Sequence, residues 1–135
     1  MARRVRGVRG ATTVPRDEAM LICAATRELL LELLARNGGI PADIVSATFT
    51  VTADLRSEFP ARAVRDLGWD DVAVLCAMEM PVPGAMARCI RVLMHLEMPR
   101  NQVLRHVYLH GADGLRPDRS CRAFAEDDPG VAETS

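Results

Sequence analysis

Two arginines stand in this sequence where apolar residues belong. Arg9 falls at the end of the alternating run Val5-Arg6-Gly7-Val8-Arg9-Gly10, and Arg91 interrupts Cys89-Ile90-Arg91-Val92-Leu93-Met94-His95-Leu96, which otherwise reads as a buried strand. A guanidinium keeps its charge, so holding one within an apolar segment costs free energy unless an anion meets it. With Glu79, Tyr108 and Arg116 elsewhere in the chain, the pair describes a pocket for a small molecule carrying several negative charges. Glu79 would accept a hydrogen bond from a ligand hydroxyl and set negative charge beside a developing cation. Each residue also has a plainer role. Arg9 and Arg91 fit ion-paired arginines at a sheet edge or subunit interface, with Glu79 as a structural counter-ion. Tyr108 fits a core aromatic with its hydroxyl at the rim, and Arg116 fits plain surface.

Little else in the chain could react. His95, His106 and His110 have no evident acid partner along the sequence and read as structural, so no Ser–His–Asp or Cys–His arrangement can be assembled. Cys23, Cys76, Cys89 and Cys121 are widely spaced, form no Cys-x-x-Cys and have no histidine at metal spacing. No metal or organic cofactor is therefore expected. A formal net charge of −1 leaves no footprint for nucleic acid or an anionic membrane. The start has no continuous apolar leader, and the apolar stretch around residues 29–34 is interrupted by Glu28 and Glu32, far short of a membrane span. The cytoplasm is the simplest location.

A small scaffold must hold these side chains. At 135 residues the chain fits one domain with a real core and no room for a second, expected over residues 1–121. Alternation predicts a first strand over about 4–9, where Gly7 and Gly10 hint at close backbone approach. A long helix follows over about 17–36, with Ile22, Thr26, Leu29, Leu30, Leu33 and Leu34 on one side and Asn37-Gly38-Gly39 stopping it. Strands are expected at 48–52, with Phe49 and Val51 inward, and at 72–75. Between them, residues 59–68 form a short helix with proline near its start and glycine after its end. Strands at 89–96 and 103–109 are joined by a turn at Met98-Pro99-Arg100-Asn101. Strand parity puts Arg91 on one face with Cys89, Leu93 and His95, opposite Ile90, Val92 and Met94. From Arg122 on, acidic and turn-forming residues dominate, so 122–135 is expected as a disordered acidic tail. The result is an α+β (α/β-like) domain with a single mixed β-sheet, one long helix and one or two short helices. One long helix covers one face of such a sheet; the other face needs a partner, which favours an oligomer.

Taken in order, these segments resemble a known family. They are Val5-Arg6-Gly7-Val8-Arg9-Gly10-Ala11-Thr12-Thr13, Asp54-Leu55 with Phe59-Pro60-Ala61, Cys76-x-x-Glu79-Met80, Cys89-Ile90-Arg91-Val92, Arg105-His106-Val107-Tyr108-Leu109 and Leu115-Arg116-Pro117-Asp118. Over roughly residues 4–119 the chain is similar to the small, monofunctional, trimeric chorismate mutases of the pseudo-α/β-barrel class. The resemblance implies a Claisen [3,3] rearrangement of chorismate to prephenate, a step toward phenylalanine and tyrosine, in a homotrimer with its sites between subunits. It also implies site roles for Arg9, Phe59, Arg62, Arg65, Cys76, Glu79, Arg91, Tyr108 and Arg116. Arg91 meets the ether oxygen and the side-chain carboxylate, which Arg9 and Tyr108 also grip. Glu79 and the backbone at Cys76 hold the ring hydroxyl, and Phe59 walls the pocket. Arg62, Arg65 and Arg116 draw in the second carboxylate. A concerted rearrangement needs no nucleophile and no cofactor, in keeping with the residues found. Two other classes share part of the pattern: a trimeric imine deaminase-like enzyme, whose Arg-Pro-Ala-Arg stretch is absent here, and a non-catalytic trimer that binds a dicarboxylate.

Overall fold

The protein is described by a computed structural model over residues 2–116; the expected acidic tail and Cys121 lie outside the described residues. The opening alternation forms β1 (Arg3–Thr13), which runs past the expected end because it pairs antiparallel with β4 (Cys89–Pro99) along its whole length, from Arg3 opposite Pro99 to Thr13 opposite Cys89. Between them in sequence come α1 (Ala19–Asn37), β2 (Ile44–Val51), the short α2 (Arg62–Asp66) and β3 (Ala73–Met78), and the chain continues to β5 (Val107–Tyr108). The sheet order is β3-β2-β4-β1-β5. β4 lies antiparallel between β1 and β2, while β3 and β5 run parallel to β2 and β1 at the two edges. This is the single mixed sheet that the sequence predicts.

Period 2 along β4 builds the core. Ile90, Val92, Met94, Leu96 and Met98 are buried on one face. Above them lies α1, whose Ile22, Thr26, Leu29, Leu30, Leu33 and Leu34 are all buried, as its sequence pattern requires. Phe49 from β2 is fully buried in the same cluster. The helix ends where Gly38 takes a left-handed backbone (φ 65°) and Gly39 N–H donates to the Leu34 carbonyl. Gly10 explains how closely helix and sheet approach. A Cβ there would stand 3.0 Å from both Leu29 Cδ1 and Leu33 Cδ1. Gly7 faces the other way, where a Cβ would meet Leu93 Cδ1 at an ordinary 3.5 Å, so of these two glycines Gly10 is the one that packing requires.

Several expected boundaries move. β2 begins at Ile44, because Ile44 and Ala47 already face the core, and β3 continues to Met78 alongside Val51. α2 shortens to Arg62–Asp66. The larger correction concerns the last strand. No hairpin joins β4 to a strand at 103–109: both edges of β4 are occupied by β1 and β2, so the chain crosses to the free edge of β1 and pairs there for only two residues, Gly10 with Val107 and Ala11 with Tyr108. The segment before β5 is held by a side chain instead. The buried Asn37 amide accepts the Arg105 N–H (2.7 Å) and donates to the carbonyls of Arg105 and Leu33, while Gln102 Nε2 donates to the Asn37 carbonyl.

The face of the sheet opposite α1 carries Arg9, Ala11, Thr48, Thr50, Arg91 and Leu93, and Leu75 of β3 stands on it 65% exposed.

Replacing Gly10 with alanine is expected to destabilise the fold by about 1–3 kcal/mol, the usual cost of one surplus methyl in a tight helix–sheet contact. Thermal unfolding of Gly10→Ala checks this; an unchanged melting temperature would mean that α1 can back away from the sheet.

Candidate active site

Four side chains form a straight row across the open face. Thr50 of β2 is paired with Arg91 of β4, Arg91 with Ala11 of β1, and Ala11 with Tyr108 of β5. Paired residues emerge on the same side of a sheet, so the small Ala11 leaves a gap between the guanidinium and the phenol. Arg9, two residues before Ala11, points to the same side. These residues line a concavity of about 560 Å³, closed at one end by Leu115 from the 3₁₀ turn His110–Leu115. Arg91, Arg9 and Tyr108, picked out far apart in sequence, are thus brought together.

Glu79 joins them from beyond β3. Its backbone N–H donates to the Val51 carbonyl at 2.8 Å, carrying the chain along β2 after β3 ends. The Thr50 hydroxyl donates to Glu79 Oε2 at 2.6 Å, and Arg91 Nε lies 3.5 Å from the same oxygen. That separation makes an ion pair but no hydrogen bond: Arg91 Nε is shielded from solvent with no hydrogen-bond partner among the described residues. The Cys89 thiol is buried beside this pair. Burial pushes its pKa up, and the Arg91 charge offsets part of the shift.

Arg9 is held through its main chain. Its N–H donates to His106 Nδ1 at 2.9 Å, so the imidazole must be unprotonated at that nitrogen. Burial and the Arg9 charge both lower the His106 pKa, which favours that neutral form. Sequence reading missed this role, as it missed Thr50 and Leu115. The His106 contact is made to a backbone, which leaves no trace in side-chain pattern. The alternation Thr48-Phe49-Thr50 did signal that Thr50 faces away from the core. His110 was also read without an acid partner, and the fold supplies one: Nε2 lies 2.8 Å from Glu28 Oε1.

Phe59 and Cys76 lie elsewhere, lining a second concavity of about 360 Å³ with Leu55 and Met78. The loop that carries Phe59 is anchored by Asp17, whose carboxylate accepts the N–H groups of Arg56 and Ser57, both at 3.0 Å. These bonds, the one from Arg56 foremost, hold the Asp17 carboxyl below its ordinary pKa. Phe59 itself is 70% exposed. Arg62 and Arg65 follow on α2; Arg62 is engaged by Asp66 at 3.1 Å and Glu58 at 3.7 Å. Arg116 lies 3.5 Å from Asp113, at the end of the turn that supplies Leu115. Within one chain, then, neither Phe59 and Cys76 nor Arg62 and Arg65 line the Arg91 concavity. A larger concavity of about 890 Å³ near Glu28, Arg88 and His110 contains none of the predicted site residues. Among the described residues no three His, Cys, Asp or Glu side chains gather as a metal site would require.

The sequence and the fold both match known proteins. Residues 5–119 match the family described as Chorismate mutase type I. A protein of Bacillus subtilis (strain 168) named Chorismate mutase AroH is 45% identical over 119 residues, covering 86% of this chain and 93% of its own. One of the same name from Thermus thermophilus is 50% identical over 117 residues, covering 84% and 95%. A solved chorismate mutase from Clostridium thermocellum superposes with a TM-score of 0.78 at 45% identity, over 80% of this chain and 97% of that one.

The His106–Arg9 contact yields a prediction with a definite sign. Because folding lowers the His106 pKa, the unfolded chain binds the proton more readily. This contribution to stability is complete above about pH 6.5 and is lost as pH falls through the folded-state value. Melting temperature should therefore decline on acidification below about 6.5, and the decline should be smaller in His106→Asn, which keeps an acceptor and cannot titrate. Equal slopes in the two proteins would remove His106 from the account.

Proposed function

This chain belongs to the type I chorismate mutases and converts chorismate to prephenate; on that premise we propose that the Arg91 concavity and the Phe59–Cys76 concavity are halves of one active site completed between subunits. The reading rests on one observation. Arg9, Arg91 and Tyr108 gather on the open face of the sheet with Glu79 beside Arg91, while Phe59 and Cys76 lie apart from them in the same chain. In a homotrimer with open faces turned toward neighbours, the Phe59–Cys76 half of one subunit meets the Arg91 half of the next. Leu75 (65%) and Leu93 (41%) stand exposed on the open face and Phe59 stands exposed beside the second concavity, which supports such burial, since exposed large apolar side chains at both surfaces suit association. Arg62 and Arg65, beside Phe59, and Arg116, beside Leu115, would draw in the second carboxylate at the rim.

The chemistry asked of the residues is electrostatic. As the C–O bond of chorismate breaks ahead of C–C formation, negative charge grows on the ether oxygen and positive charge on the ring. Arg91, already fixed in a strand and with a donor unspent, meets the ether oxygen and the side-chain carboxylate; Arg9 and Tyr108 hold that carboxylate. Glu79 and the Cys76 backbone take the ring hydroxyl, with the carboxylate charge also favouring the cationic ring. Preorganised charges of this kind lower a barrier because they need not reorient during the reaction, and the folded substrate conformation is held by the same contacts. No step calls for a nucleophile, metal or cofactor. Family membership sets aside the imine deaminase-like enzyme and the non-catalytic binder.

We further assign residues 1–121 to a single catalytic domain, on the one sheet that its strands share, and the enzyme to the cytoplasm, on the widely spaced thiols of Cys23, Cys76 and Cys89, which are free among the described residues. Among the described residues no helix is long and apolar enough to cross a membrane.

Three experiments test the proposal. Arg91→Lys keeps a positive charge and loses the planar fork, so kcat should fall by about 10²–10³, as for loss of one preorganised donor. A folded variant within about threefold of wild-type kcat, measured by loss of chorismate absorbance against that expectation, would exclude Arg91 from the mechanism. Second, Arg91→Ala and Phe59→Ala should each be impaired, and co-refolding the two should recover part of the activity, because a mixed trimer contains some sites with both halves intact. Light scattering that shows a fully active monomer would defeat the shared site outright.

A further inference from the structure

We propose that Thr50 is a positioning residue for this reaction: its hydroxyl holds the Glu79 carboxylate short of the Arg91 guanidinium, so that both charges remain available to the substrate. This inference rests on the assignment of Glu79 and Arg91 to the site. Thr50 and Arg91 are direct partners across β2 and β4 and emerge side by side. Glu79 is tethered beside them through its own N–H to Val51. An Arg–carboxylate pair free to move closes to a charge-assisted hydrogen bond of about 2.7–2.9 Å, often with two parallel bonds. Here it stands at 3.5 Å, with Arg91 Nε desolvated and lacking a hydrogen bond among the described residues. The bond that Oε2 does accept comes from Thr50, at 2.6 Å.

The hydroxyl therefore does two things. It stabilises the carboxylate charge with a neutral donor, which draws nothing from the positive side of the site. It also commits Oε2, leaving Oε1 as the oxygen for the ring hydroxyl. Without the hydroxyl, Glu79 turns onto Arg91 and closes the bidentate pair. The guanidinium then faces its own counter-ion, and the developing charge on the ether oxygen loses its donor.

The test compares Thr50→Val, which keeps the branched shape without the donor, with Thr50→Ser, which keeps the donor. Thr50→Ala is a second donor-free variant should valine pack poorly. Each is made in the native chain and in Glu79→Ala, with kcat, KM and melting temperature measured and enzyme in excess where turnover is slow. In the native background the donor-free variants should lose about 10- to 100-fold in kcat, the range for a hydrogen bond to a charged group. KM should change far less, and Thr50→Ser should recover most of the loss. In the Glu79→Ala background the hydroxyl has no carboxylate to hold, so removing it should cost less than about twofold, a non-additivity diagnostic of action through Glu79. Equal losses in both backgrounds, failure of serine to rescue, or a native kcat in folded Thr50→Val or Thr50→Ala would overturn the proposal. If Glu79→Ala alone leaves kcat unchanged, the site assignment fails along with it.

Discussion

In β4 a single peptide unit separates an apolar core from a permanent charge. Ile90 and Val92 are sealed under α1, and Arg91 between them must leave on the other face because strand side chains alternate. Everything else in the molecule accommodates this arrangement. β4 takes the protected centre of the sheet, with a strand on each side, so Arg91 cannot shift register without driving its charge into the core. α1 can lie on only one face. The opposite face is left to the charged row, and a short side chain at Ala11 supplies the gap in that row.

A guanidinium whose Nε is shielded from solvent invites the nearest carboxylate to neutralise it, and a site of the kind proposed, which depends on that arginine, must resist that. Glu79 is close enough to matter and still short of a hydrogen bond. The neutral donors and acceptors around the pair acquire importance for this reason. Thr50 on the carboxylate and His106 on the Arg9 main chain bind without adding charge at the ordinary pH of a cell. A cationic His106 beside Arg9 would bring repulsion, and the lowered pKa keeps it neutral.

Much of this was legible in the sequence. Period 2 in residues 89–96 and the helical period in α1 fix which residues face the core, and Arg91 and Arg9 stand out because they break an apolar pattern. The segments carrying Phe59, Cys76 and Tyr108 identify themselves by resemblance more than by physics. The partner of β5 was not legible: the short turn after β4 favours a hairpin, and only the tertiary fact that β4 has no free edge sends the chain to β1. Thr50 and His106 stayed hidden because their partners lie 29 and 97 residues away, and nothing local marks a threonine or a histidine as spoken for. His110 shows the same limit, with Glu28 82 residues distant.

The pairing of β1 has a consequence for how the molecule comes into being. β1 is made before both strands it joins, β4 on one edge and β5 on the other, and its pair nearest in sequence is Thr13 with Cys89. While α1, β2, α2 and β3 are being synthesised, β1 has no strand to join, and its arginines face water. Contacts so distant in sequence form slowly, because a long loop must close before any bond repays it. β1 therefore cannot lock until β4 has been made, β5 can join only once β1 is in place, and Arg9 and Arg91 come together only when that distant pairing closes. Arg3, Arg4, Arg6 and Arg9 along β1 help keep that waiting strand soluble, since charge along an unpaired edge discourages pairing with other chains.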